Sequence, residues 1–145
     1  GTLSLTDPAS TSGAILPRQA VQRLTGVPLE AYFERITFAG AHDRSIEAVR
    51  TGRVDATFVA SNAVDDAVRN GVLRMDEIRI LWRSTPIPYD PFVTRRSLCP
   101  ALQKQIRQVF LGDTGPLQGM FRELGMTGFV PVTDEDYRDI RQLYP

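Results

Sequence analysis

Three strand-like runs, separated by helical stripes, set the rhythm of the first half of this chain. The first run, TLSL (Thr2 to Leu5), stops at the turn-forming Asp7-Pro8 pair. In AILPRQAVQRLTG, which follows, Ile15, Leu16, Ala20, Val21 and Leu24 fall on one side of a helix that Gly26 closes. After a short aromatic segment, LEAYFE, the run RITF (Arg35 to Phe38) predicts a second strand. AGAHDRSIEAVRTG then predicts a helix with Asp43 as its N-cap and Gly52 at its stop. VDATFVA (Val54 to Ala60) is a nearly continuous apolar run, the pattern of a strand buried on both faces of a parallel sheet. SNAVDDAVRNG predicts a short helix capped by Ser61 or Asn62 and ended by Gly71.

Alternating strands and helices predict an α/β fold, a mostly parallel sheet with flanking helices and right-handed crossovers. The pattern changes after Arg79. IRILWRSTPIPYDPFVTR has strand-like ends, but Pro86, Pro88 and Pro91 remove backbone donors between them, so an extended connection is expected rather than a central strand. Beyond it PALQKQIRQVF, GPLQGMFRELG and DEDYRDIRQLYP read as helices. Their stripes, Leu102, Ile106, Val109 and Phe110, then Leu117, Phe121 and Leu124, require a surface to pack against.

Composition narrows the classes. A chain of 145 residues, 42% hydrophobic and 23% charged, suits a globular domain with its own core rather than a disordered segment or coiled coil. Seventeen basic residues balance seventeen acidic ones, so no net field attracts nucleic acid or an anionic membrane. An anion must then be held by local geometry. Cys99 is the single cysteine, which excludes an internal disulfide and a structural zinc site, and no metal or organic cofactor is expected. No apolar run approaches the roughly 20 residues of a membrane helix, and no secretory leader is visible. Opening directly on a strand, the sequence is expected to be a mature or trimmed form.

The candidate chemistry gathers where strands end and helices begin, the place where ligands collect in parallel sheets. In DPASTSGAILP, Asp7 to Pro17, the hydroxyls of Ser10, Thr11 and Ser12 precede a helix start whose unpaired amides and partial positive charge suit an anion, and Gly13 permits close approach to the backbone. Alone, the same residues read more simply as an N-cap plus a turn. Pro17 crowds the carbonyl of Gly13 if Ser12 is the cap, so either the first turn is irregular or the regular helix starts nearer Leu16. His42, the only histidine, stands before the second helix and can donate to an anion, while a satisfied structural role is its default. Asp90, before Pro91, is a turn residue or, at a ligand, an acceptor for a protonated oxygen or an amine. Ser12, His42 and Asp90 also spell the ingredients of a hydrolytic triad, without the G-x-S-x-G elbow of a serine esterase.

Taken in order, DPASTSGAILP, FAGAHDRSIEAVRTGRVDA and IPYDPFVTR resemble the periplasmic phosphonate-, phosphite- and phosphate-binding proteins of ABC transporters. In that family the second lobe carries D-P-x-S-T-S-G, G-S-H-D-x-x-I-x-A-V-x-x-G-x-V-D-A and an I-P-x-D-P crossover. The resemblance implies a type II periplasmic-binding-protein fold and a periplasmic or extracytoplasmic location. It implies that Ser10, Thr11 and Ser12 grip the oxyanion, that His42 also reaches it, and that Asp90 lies near the ligand's protonated or amino end. Ser61 or Asn62 takes the ligand-contacting place after the VDA strand, and Ala41 stands where the family has a serine.

The resemblance spans the whole chain but only the later half of such a protein. It divides the sequence into an inserted ligand-binding lobe over residues 1–83, a crossover over 84–95, and helices of an incomplete first lobe over 96–145. Those helices are expected to expose an apolar face and to favour self-association or a rearranged packing. The implied partners are a small oxyanion and, for the full-length protein, an ABC permease; a ligand-sensing domain of a signalling receptor is the alternative, and a serine esterase a third.

Overall fold

The computed structural model describes residues 1–144 and divides into two units, one formed by Gly1–Ile87 with the residues from Asp139 on, the other by Pro88–Arg138. In the first unit β1 (Thr2–Leu5) lies centrally, flanked by β2 (Arg35–Phe38) and β3 (Ala56–Thr57) in the order β2-β1-β3. Both pairings are parallel, with Leu3 opposite Ile36 on one side and Ala56 on the other. The sheet's amino edge is pinned by Asp55, whose carboxylate accepts from the backbone N–H of Thr2 at 2.6 Å and from its hydroxyl at 2.9 Å. These bonds hold the carboxyl of Asp55 below the usual carboxylate range.

Each strand feeds a helix. A π-helical turn (Thr11–Ile15) leads into α1 (Leu16–Thr25), followed by the single turn α2 (Leu29–Tyr32); α3 (His42–Arg50) follows β2 and α4 (Ser61–Arg69) follows β3. The turn resolves the difficulty set by Pro17. Because Ile15 and Leu16 bond back five residues, to the carbonyls of Ser10 and Thr11, the regular helix begins at Leu16 and Pro17 occupies its first turn, where no donor is needed. Gly26 ends α1 in the left-handed region, φ 77°, which only glycine adopts freely. The core joins Leu3, Leu5, Ala14, Val21 and Leu29, with Phe33, Ile36, Ala56 and Phe58 packed around them.

Several expectations need correction. Leu24 is 66% exposed, so the buried stripe of α1 is narrower than the sequence suggests. Asp43 does not cap α3: the cap is Ala41, and Asp43 is the second helical residue, where its charge still favours the positive helix end. Ala60, rather than Ser61 or Asn62, caps α4. The strand expected over Val54–Ala60 shrinks to Ala56–Thr57, since only these two pair with β1 and no further described strand lies beyond them; Phe58 to Ala60 are half-buried. The strand-like ends at Ile78–Arg83 and Phe92–Arg95 form no strand.

In the second unit α5 (Pro100–Leu111) and α6 (Gln118–Leu124) are joined through a 3-10 turn at Gly115–Leu117, and a second 3-10 turn, Asp134–Tyr137, ends it; α7 (Arg138–Arg141), next in the chain, belongs from Asp139 on to the first unit. Aromatic rings organise this unit. Phe110 stacks on Phe92 at 4.7 Å, and Phe129 meets Phe92, Phe110 and Phe121 edge to face at 5.4, 4.9 and 5.5 Å. Leu102, Val109 and Leu124 of the predicted stripes remain exposed.

Candidate functional site

Three helix starts stand at the carboxyl edge of the sheet, after β1, β2 and β3. Each brings amides that lack an intrahelical acceptor and a share of the helix's positive end. After β1 the chain turns at Asp7–Ser10, with Asp7 Oδ1 accepting from the amide of Ala9 at 2.9 Å and the Ser10 amide donating to the Asp7 carbonyl at 3.0 Å. Ser10 is then the N-cap: its Oγ accepts from the amide of Gly13 at 3.1 Å, and its carbonyl accepts from Ala14 and Ile15. Its hydroxyl proton is not used by that bond, so a capping serine can still donate to a further acceptor. Thr11 and Ser12, first in the turn, keep amides without an intrahelical acceptor. Ser12 Oγ has no hydrogen-bond partner among the described residues, and Thr11 Oγ1 lies 2.9 Å from the phenol oxygen of Tyr144.

Gly13 is required by packing. A Cβ built on it would lie 1.9 Å from Thr6 Oγ1 and 2.7 Å from Thr6 Cγ2, so the close approach that this glycine permits is that of the Thr6 side chain. The backbone of Thr6 ties two segments of the edge together. Its amide donates to the carbonyl of Gly13 at 3.3 Å and its carbonyl accepts from the amide of Gly40 at 2.7 Å.

His42 opens α3 and reaches across to the start of α4, where its Nδ1 accepts from the amide of Ala60 at 3.1 Å. In the neutral ring an accepting Nδ1 leaves the proton on Nε2, as a donor. Partial burial lowers the pKa of His42 and so favours that neutral form, while the charge of Asp43 opposes it. Ser61 and Asn62 begin α4 with exposed side chains. Asp90 is exposed and belongs to the second unit, so its assignment rests on the IPYDP motif alone. A hollow of about 640 Å³ in the first unit is lined instead by residues such as Arg35, Thr37, Arg44, Glu47 and Arg53, and none of Ser10, Thr11, Ser12 or His42 borders it. The three helix starts form an open shelf along the sheet's carboxyl edge, apart from that hollow.

The sequence profile of the family described as the ABC transporter, phosphonate, periplasmic substrate-binding proteins matches residues 1–137. The chain belongs to this family. Two curated relatives of the phosphonate-binding family illustrate the range: the phosphate-import protein of Mycolicibacterium smegmatis, 29% identical over 157 aligned residues, and the phosphonates-binding periplasmic protein of Escherichia coli, 29% identical over 139. Each alignment covers 94% of this chain but 48% and 40% of the respective relative. The chain therefore spans about half the length of the curated relatives that it matches. Within this family member, Thr6 and Tyr144 are the neighbours of the shelf that sequence reasoning missed. Thr6 looked like the end of a strand, and the Thr11–Tyr144 contact bridges 133 positions with no local signal.

Proposed function

We propose that this chain supplies the anion-gripping lobe of a solute-binding protein that captures a phosphonate, phosphite or related tetrahedral oxyanion outside the cytoplasm for an ABC permease. The observation that carries this reading is the meeting of three helix starts at one sheet edge, furnished with the hydroxyls of Ser10, Thr11 and Ser12 and the ring of His42. Such an edge stabilises a dianion through amides, hydroxyl donors and helix dipoles, without a lysine or a metal. The two relatives are named for phosphate and for phosphonates, and the shared element is a phosphorus centre with several oxygens.

In this mechanism Ser10 caps the turn with its oxygen and donates to the anion with its proton, Ser12 donates from an otherwise unpartnered hydroxyl, and Thr11 exchanges Tyr144 for ligand. His42 donates from Nε2 while Ala60 holds the ring. Ser61 and Asn62 flank the ligand from the third helix start. No bond is made or broken. A hydrolytic role for Ser12 conflicts with the tautomer of His42, since a ring that carries its proton on Nε2 and accepts at Nδ1 is turned the wrong way to take a proton at Nε2 while a carboxylate holds Nδ1.

Isothermal calorimetry on the full-length protein with methylphosphonate, phosphite, phosphate and sulfate tests the reading. Heat with at least one phosphorus oxyanion is expected, and Ser12→Ala should weaken that binding about tenfold, the effect of one charge-assisted hydrogen bond. Absence of heat with all four would sink it.

A further inference from the structure

Thr6 Oγ1 is the one buried side-chain oxygen or nitrogen without a hydrogen-bond partner among the described residues. Its residue is 2% exposed, at the carboxyl end of the central strand. The neighbouring threonines show what such a hydroxyl normally does here: Thr57 Oγ1 donates to the carbonyl of Ser4 at 2.8 Å and Thr37 Oγ1 to that of Leu3 at 3.3 Å. Thr6 could be valine at equal volume and without an orphaned group, and a buried hydroxyl left unsatisfied is costly, so its presence calls for a partner in some state of the site. Its direction indicates which state. Of the Thr6 side-chain atoms it is Oγ1 that lies nearest the Cβ position of Gly13, at 1.9 Å against 2.7 Å for Cγ2, so the hydroxyl faces the turn that opens the shelf. The amide of Gly13 is meanwhile occupied by Ser10 Oγ, the same hydroxyl that is called on to donate to the ligand.

Resting on the oxyanion reading above, we propose that Thr6 is a positioning residue of the site, a fourth hydroxyl that has no partner in this structure and is satisfied within the Ser10–Gly13 turn when the anion draws that turn into its bound geometry. Thr6 acts through the turn: its oxygen is fully covered, so it sets how Gly13 and Ser10 present their donors. Its backbone bonds to Gly13 and Gly40 extend the same control to the segment that delivers His42.

The test uses the full-length protein with Thr6→Val and Thr6→Ser, melted without ligand and titrated with phosphate, phosphite and methylphosphonate. Thr6→Val should melt at or above the wild-type temperature, because it removes an orphaned hydroxyl at constant shape, and should bind the preferred oxyanion about tenfold more weakly. Thr6→Ser, which keeps the hydroxyl and loses a methyl, should melt lower yet bind within about twofold of wild type. A residue that only fills space gives the opposite order, with affinity following the methyl, and that order overturns the proposal. Equal affinity of Thr6→Val and wild type overturns it too, as does a Thr6→Val protein that fails to fold, since the hydroxyl would then have a partner in the empty state. If wild type binds none of the three oxyanions, the functional reading itself falls and this inference with it; wild-type binding with an unmoved Thr6→Val removes the inference alone.

Discussion

The two units spend their apolar residues in different ways. In the first, the parallel ladder places Leu3 and Leu5 at full burial between helices that also bury Ala14, Ala20, Val21 and Ile46. In the second, Phe121 is the sole large hydrophobic residue among the described ones to be buried, and Leu102, Val109 and Leu124 face solvent along their helices. Composition does not distinguish them, since both alternate apolar and polar positions at regular spacing. Closure does: a sheet collects stripes from several helices onto one surface, while short helices without such a surface hold together through an aromatic cluster. The shelf proposed to bind the anion sits on the unit with the ladder, where its donors can be held in place.

Hydrogen exchange should give the largest contrast. Amides of β1 are expected to exchange orders of magnitude more slowly than those of α5, because their opening requires loss of the buried core; equal protection would erase the distinction between the units. Next in size is Leu5→Ala, expected to cost about 2–5 kcal/mol in urea denaturation, against about 0.5 kcal/mol or less for Val109→Ala at a half-exposed site. Gly13→Ala places a methyl group against Thr6 and should cost about 1–3 kcal/mol. Thr6→Ala in the same protein should restore much of that loss, a coupling that a double-mutant cycle reads directly and that additive costs would refute.

The smallest effect concerns pH. Burial holds the pKa of His42 below its ordinary 6.5, so the unfolded chain takes up the proton first. Stability contributed by the neutral ring is complete above about pH 6.5 and declines as pH falls through that value toward the folded pKa. Melting temperatures recorded between about pH 7.5 and 5.5 should fall for wild type and stay flatter for His42→Asn, and parallel curves would detach the ring from the Ala60 bond.

Much of the fold was legible because it is local. TLSL and RITF become β1 and β2 at the boundaries that their turn signals mark, and Gly26, Gly52 and Gly71 adopt the positive φ values that their places after helices demand. The hydroxyls ahead of α1 were legible as a helix start, and Pro17 as a disturbance of it. Less legible were the caps: Asp43, Ser61 and Asn62 have the right side chains for the role, yet the chain leaves its extended conformation at Ala41 and Ala60, where the preceding strands hand it over.

By itself, then, the sequence determined where this chain turns, which stretches are strand or helix, and that hydroxyls and a histidine stand at helix starts, because backbone preference and apolar period depend on a residue and its near neighbours. Tertiary structure decided the rest. The length of β3 depends on how far β1 can pair with it, the tautomer of His42 on the amide of Ala60 eighteen positions away, and the orphaned state of Thr6 on the π turn that sets Gly13 against it. Partnership between distant groups is a property of the packed chain, and no reading of adjacent residues supplies it.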